Sequence, residues 1–214
     1  MAGGRLITIE GIDGAGKTTL AARLAEDLRR PDRPVELLRE PGGVITSERI
    51  RALVQDPDAR IGARAEALLY AAARAQLVEE RISPLLEAGT WVLLDRFVDS
   101  SLAYQGAGRE LGVGLVAAVN AFATGNLRPD RTLLLRVSPA AGRERQGGRG
   151  EPGDRLEREE DSFFARIAAA YDGLAAAEPG RFAVLDASRS REEVHDAALA
   201  ALADLAGLAP DQSP

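Results

Sequence analysis

Residues Gly11-Ile12-Asp13-Gly14-Ala15-Gly16-Lys17-Thr18 form a complete G-x-x-x-x-G-K-[ST] loop, and no other stretch of the 214-residue chain restricts its fold so strongly. Such a loop wraps backbone N–H groups around phosphates, sends its lysine to the β/γ-phosphates and offers its Thr hydroxyl to Mg²⁺. It works only between a strand and a helix, because the helix N-terminus supplies free N–H groups and the positive end of the dipole. The flanks comply. Residues 5–10 (Arg-Leu-Ile-Thr-Ile-Glu) read as a short apolar strand, and 19–30 as an amphipathic helix with Leu20, Leu24 and Leu28 on one face. Lys17 is the only lysine; every other basic residue is arginine. Lysine stands where the loop needs a compact ammonium, a place poorly suited to a wide planar fork.

The rest of the chain alternates strand and helix. Five apolar stretches read as buried strands at 5–10, 34–38, 91–94, 131–137 and 181–185, with helices expected at 19–30, about 46–55, 63–88, about 109–124, 157–177 and 190–206. This alternation predicts an α/β fold, a parallel sheet covered on both faces, within one domain spanning 1–214. In such sheets ligands bind beyond the carboxyl ends of the strands. There lie Glu10 and the loop after the first strand, Arg39-Glu40-Pro41-Gly42-Gly43 after the second, Asp95-Arg96 after the third and Asp186 after the fifth. The tail 209–214 reads as frayed.

Composition removes several function classes. With no cysteine there is no disulfide framework and no thiolate metal site. A formal net charge of −6 argues against a general nucleic-acid binder. No apolar run approaches the ~20 residues that cross a bilayer and no signal peptide pattern is present, so the cytoplasm is the expected compartment.

Asp95 follows four apolar residues, the pattern of a carboxylate delivered beside the phosphate loop to help hold Mg²⁺, and Arg96 beside it could clamp an acceptor phosphate. A strand-end Asp that merely caps a loop has the same pattern. The segment 95–106 (Asp-Arg-Phe-Val-Asp-Ser-Ser-Leu-Ala-Tyr-Gln-Gly), with Arg39-Glu-Pro-Gly-Gly43 and Leu69-Tyr-Ala-Ala-Ala-Arg-Ala-Gln76, resembles the thymidylate kinases, the bacterial form in particular, over residues 5 to 205. The resemblance implies ATP + dTMP → ADP + dTDP on a doubly wound five-stranded sheet of order 2-3-1-4-5 in the P-loop nucleoside monophosphate kinase manner, as a homodimer with Mg²⁺.

Site roles follow from the same resemblance. The loop Gly11, Ile12, Asp13, Gly14, Ala15, Gly16, Lys17 and Thr18, with Thr19, would hold ATP, and Thr18 and Asp95 the metal. Asp13 would accept from the acceptor's 3′-hydroxyl, Tyr70 stack on thymine, and Arg74 donate to its O4 edge. Ser101 would touch the base, and Tyr104 and Gln105 would wall off the sugar's 2′ position. Arg39, Glu40 and Arg51 would surround the acceptor phosphate and metal, with Arg96 holding that phosphate. Blander roles fit some of these: Tyr70 as a core aromatic, Arg39 and Arg51 as surface arginines, Ser101 and Gln105 as loop residues. His195 carries no expected role.

Residues 143–155 (Arg-Glu-Arg-Gln-Gly-Gly-Arg-Gly-Glu-Pro-Gly-Asp-Arg) read either as a flexible surface loop or as a lid. Some of the thymidylate kinases carry an arginine in the phosphate loop just after its acidic residue; here Gly14 stands there. Forms without it place the catalytic arginine in the lid, and Arg149-Gly-Glu is similar to that arrangement. Arg149 is therefore the expected arginine finger, with Arg145 as substitute, Arg143 toward the ATP adenine or α-phosphate, and Arg155 toward the acceptor. An apparent insertion near Pro152-Gly153 shifts the lid register. Rival readings are another nucleoside monophosphate kinase, a deoxynucleoside kinase acting on thymidine, a non-enzymatic nucleotide binder, and a GTPase-type switch. The last needs Asn-Lys-x-Asp, which a chain with one lysine already in the loop cannot supply.

Overall fold

The computed structural model describes residues 3–147, 155–156 and 159–207. Five strands, β1 (Leu6–Glu10), β2 (Val35–Arg39), β3 (Trp91–Asp95), β4 (Arg131–Arg136) and β5 (Phe182–Asp186), form one all-parallel sheet of order β2-β3-β1-β4-β5. The order is the expected one. All five residues of β1 are buried, as its central place requires. The outer strands β2 and β5 are not the buried strands read from the sequence. Each is half-buried, and Leu37 and Val184 are exposed, because an edge strand has a neighbour on one side only.

Helices cover both faces. α1 (Lys17–Leu28), α8 (Asp161–Ala177) and α9 (Arg191–Ala201) pack a larger core that includes Ile7, Ile9, Leu24, Leu133 and Phe164. The other face packs Leu6, Leu38, Leu77, Val92, Leu94 and Phe97. On that side α2 (Ile45–Gln55), α3 (Ala63–Leu77) and α6 (Val113–Thr124) lie side by side.

Four segments depart from the expected helices. The single helix expected over 63–88 is α3, a π-helical stretch Val78–Ile82, then α4 (Ser83–Glu87). Pro84 has no N–H to give the preceding turn, and the wider turn absorbs the loss. The segment 95–106 is helical where a loop was one reading. It forms α5 (Val98–Ser101) and a π-helical stretch Leu102–Gly108, and α6 starts only after Gly112 at φ 93. Residues Pro139–Gly147 form α7, so the first arginines of the expected lid belong to a helix. The final helix breaks at Leu202 into α9 and α10 (Ala203–Ala206). Residues 148–154 of the lid and the tail 209–214 lie outside the described residues.

Strand register levels the chemistry at one sheet edge. Ile9 pairs with Asp95, and Arg39 with Asp95, so Arg39 and Asp95 end their strands level and Glu10 ends one residue further on.

Candidate active site

The phosphate loop meets α1 at Gly16, whose φ of 98 turns the chain into the helix with Lys17 as its first residue. Lys17 Nζ donates to the Ile12 carbonyl at 2.9 Å and lies 3.9 Å from Asp13. Burial, with Arg96 nearby, lowers its amine to about 8. Thr18 Oγ1 donates to Asp95 Oδ2 at 2.7 Å, joining loop and second strand-end motif across 77 residues of chain. Asp95 Oδ1 is buried with no hydrogen-bond partner among the described residues.

Asp13 gathers the reaction side of the cavity. Arg96 Nη2 donates to its Oδ1, and Tyr104 Oη donates to its Oδ2 at 2.8 Å. Burial would raise this carboxyl, but the Arg96 and Lys17 cations and the Tyr104 hydroxyl prevail and hold it at about 2. Arg96 itself sits at φ 69, also donates to the Gly11 carbonyl and Ser100 Oγ, and lies over the Tyr104 ring.

The opposite wall rises from α3. Arg74 is 1% exposed and each of its three guanidinium nitrogens has a partner. Nε and Nη2 hold Glu40 Oε2 at 2.7 and 2.6 Å, Nη1 holds Ser101 Oγ at 2.9 Å and Asn120 Oδ1, and Nη2 holds the Phe97 carbonyl at 2.9 Å. The expected donor to thymine O4 therefore lines the cavity with its guanidinium already held by protein groups. Burial raises the Glu40 carboxyl while Arg74 opposes the rise. Tyr70 is one helical turn before Arg74 and half-buried against the core.

One cavity brings together Asp13, Gly14, Gly16, Lys17, Thr18, Thr19, Arg39, Glu40, Arg51, Tyr70, Arg74, Asp95, Arg96, Ser101, Tyr104 and Gln105. Ser101 and Gln105 are each 2% exposed, too buried for ordinary loop residues. Arg51 Nη1 donates to the Pro41 carbonyl at 2.9 Å, and Arg39 Nη2 pairs with Glu48 at 3.0 Å. Gly11 and Ile12 lie behind the loop against β4, while Ala15 faces a second groove shared with Arg23, Arg145, Ala187, Arg189 and Arg191. The structure turns Arg143 away from that groove. It pairs with Asp161 and lies over the Phe164 ring, both on α8, whereas Arg145 donates to the Ala187 carbonyl at 2.9 Å. Two residues along a helix point in different directions, which the spacing in a flexible reading could not resolve. Arg149 lies outside the described residues. Arg155 Nη2 pairs with Glu66 at 2.6 Å.

Gly14 has a physical reason to lack a side chain. A Cβ there would stand 2.1 Å from the Gly142 carbonyl of α7, at a φ of +78. The helix that leads into the lid occupies the space an arginine in the loop would need.

Sequence reasoning missed several supports. Glu10, fully buried, accepts from Phe97 N at 2.7 Å, Ser100 Oγ at 2.6 Å and Tyr171 Oη at 2.9 Å, and so fixes the turn that carries Arg96. Burial, with Asp99 nearby, raises its carboxyl to about 7. A carboxylate closing an apolar strand was the available signal. Glu66 stands four residues before Tyr70 and eight before Arg74, on one face of α3. Asn120 is a polar residue within the apolar run 113–124. Nothing in the sequence marked Tyr171.

A family model described as thymidylate kinase matches residues 9–198. The thymidylate kinase of Deinococcus radiodurans is 48% identical over 204 residues, covering 95% of this chain and 98% of its own. That of Enterococcus faecalis is 46% identical over 202 residues, covering 93% and 95%. A crystal structure of thymidylate kinase from Ehrlichia chaffeensis superposes with a TM-score of 0.75 at 29% identity, covering 94% of this chain and 99% of that one.

Proposed function

This chain belongs to the thymidylate kinase family, and from that premise we propose how its residues divide the work. The enzyme transfers the γ-phosphoryl group of ATP to dTMP, giving dTDP and ADP. An oxygen of the dTMP phosphate forms the new bond to the γ-phosphorus. The bond from that phosphorus to the β–γ bridging oxygen breaks, and its electrons leave with ADP. The dTMP phosphate is already largely dianionic near neutral pH, so no protein base has to generate the nucleophile. What remains is positioning and charge stabilisation.

In this reading the loop 11–18 with Thr19 holds the donor phosphates, and Lys17 holds the β/γ oxygens. Arg96 holds the acceptor phosphate, oriented by Asp13, with Arg39, Glu40 and Arg51 around it. Tyr70, Arg74, Ser101, Tyr104 and Gln105 receive the nucleoside. Arg149 is the arginine finger, and the Gly142 carbonyl packed against Gly14 supports a finger from the lid rather than from the loop. Arg145 rather than Arg143 flanks the donor nucleoside, since it opens on the second groove. Mg²⁺ suits the oxygen donors of Thr18 and Asp95, whose Oδ1 lacks a hydrogen-bond partner among the described residues. When bound it would neutralise charge on the β- and γ-phosphates. The chain works as one domain, 1–214, with its lid at 143–155.

The observation that carries this reading is a single cavity in which the phosphate loop, the Asp95-Arg96 pair and the Tyr70/Arg74 wall converge. A steady-state assay of dTMP, dUMP, dCMP, AMP and thymidine with ATP tests it, with dTMP expected to have the highest kcat/KM; preference for thymidine would overturn it.

A homodimer is supported by the exposed side chains Leu53, Leu68, Leu115 and Phe122 on α2, α3 and α6; Phe122 is 92% exposed. Light scattering should find twice the chain mass, and Phe122→Asp should shift it to the monomer. No described helix is long and apolar enough to cross a membrane, and the net charge of −6 supports small-molecule partners over nucleic acid. The cytoplasm is the proposed compartment, checked by fractionation.

A further inference from the structure

Glu66 is fully buried in the first turn of α3, and donors from three separate places converge on its carboxylate. Gln105 Nε2 donates to Oε1 at 2.9 Å. Arg109, just past the π-helical stretch, reaches Oε1 at 3.3 Å through Nε and Oε2 at 3.2 Å through Nη2. Arg155, from the far end of the lid, reaches Oε2 at 2.6 Å through Nη2 and gives its Nε–H to the Val54 carbonyl at 3.2 Å. Arg109 also holds Glu159 and lies over the Phe163 ring, so it braces both Glu66 and the chain entering α8.

Two consequences reach the acceptor cavity. A carboxylate only accepts, so Gln105 must turn its NH₂ toward Glu66 and keep its carbonyl oxygen for a ligand donor. Arg155 is followed by Leu156, which is buried, belongs to the main core and lines the same cavity as Tyr70, Tyr104 and Gln105. Pinning Arg155 therefore seats Leu156 against the acceptor site.

We propose that Glu66 is a positioning residue for the acceptor nucleotide, one carboxylate that orients the Gln105 amide and latches Arg155 so that Leu156 stays packed along the acceptor cavity. The proposal rests on the acceptor reading of that cavity given above. Glu66 touches neither substrate and acts through Gln105 and Arg155.

The test is a kinetic cycle on the full-length enzyme with Glu66→Gln, Arg155→Ala and the double variant, measuring kcat, KM for dTMP and KM for ATP. Each single variant should raise KM for dTMP about tenfold, the scale of one charge-assisted hydrogen bond, and leave KM for ATP within about twofold. The double variant should be no worse than Glu66→Gln within about twofold, because both changes break the same contact. A purely structural role would lower the active fraction and leave the two KM values alike. An unchanged KM for dTMP in Glu66→Gln, an equal rise in both KM values, or effects that multiply would overturn the proposal. Where Glu66→Gln fails to fold by circular dichroism, Arg155→Ala decides alone: a raised KM for dTMP supports the latch, an unchanged one sinks it. Tyr70→Ala separates the two layers of the argument. If it too leaves KM for dTMP intact, the acceptor reading of the cavity has failed, not the latch.

Discussion

The cavity proposed for the acceptor and the groove proposed for the donor share one phosphate loop but are built on opposite principles. On the acceptor side charged groups are paired at buried or half-buried positions: Arg74 with Glu40, Arg96 with Asp13, Arg155 and Arg109 with Glu66. On the donor side Arg23 and Arg189 sit at the surface with loose partners, Glu192 at 3.6 Å and Asp186 at 3.5 Å, and the loop backbone is left to do the proposed holding. Buried pairs in a low-dielectric site resist reorganisation, so they can discriminate among acceptors. Backbone N–H groups and surface arginines read phosphates, which every nucleoside triphosphate carries. On the proposed roles, selectivity would lie where the protein is already locked.

The contrast can be broken by mutation, beginning with the proposed arginine finger. Arg149→Ala should cut kcat by about 10³, roughly 4 kcal/mol of transition-state stabilisation, with KM for dTMP nearly unchanged. Wild-type turnover would move the finger to Arg145. Next in size, Arg74→Ala leaves Glu40 buried without its cation and should cost about 3–5 kcal/mol of stability. Arg145→Ala on the exposed donor side should stay within about 0.5 kcal/mol while raising KM for ATP. Chemical denaturation of the two variants, read together, checks this pair; equal losses would erase the distinction.

pH separates the halves more gently. Lys17 is held at about 8 by burial and by Arg96, so the free enzyme keeps its ammonium below that value and loses it above. As pH rises through about 8, kcat/KM for ATP should fall, while kcat/KM for dTMP, which depends on arginines, should fall less. Profiles of equal shape would mean that Lys17 titrates elsewhere. The scaffold of the donor groove can be loosened without touching the acceptor side. Ser190 and Glu193 form a reciprocal capping box at the start of α9. Ser190→Ala should cost ~1 kcal/mol in a thermal melt and leave KM for dTMP unchanged.

Much of this protein was legible in the chain itself. The loop 11–18, the Asp95-Arg96 pair and the Tyr70/Arg74 spacing all depend on local geometry, which sequence encodes directly. Strand–helix alternation predicted the sheet, and the family resemblance its order. The sheet's burial pattern was not legible, because β2 and β5 are as apolar as many central strands and only neighbour count makes them edges. Nor was the helical form of 98–108, where Ser101 and Gln105 gain their burial from α3 and α6 rather than from their own neighbours in sequence.

The sequence by itself determined that a phosphate-binding loop stands between strand and helix, and which residue types gather at the carboxyl edge. Only the tertiary structure decided their pairing: that Arg74 is spent on Glu40, Ser101, Asn120 and Phe97, that Arg143 turns to α8, and that Glu66 holds two arginines and a glutamine. The reason is distance along the chain. Glu66 and Arg155 are separated by 89 residues, and no periodicity links them. A buried charge accepts whichever partner the packed fold brings within reach, because leaving it unpaired costs more than any local preference can supply.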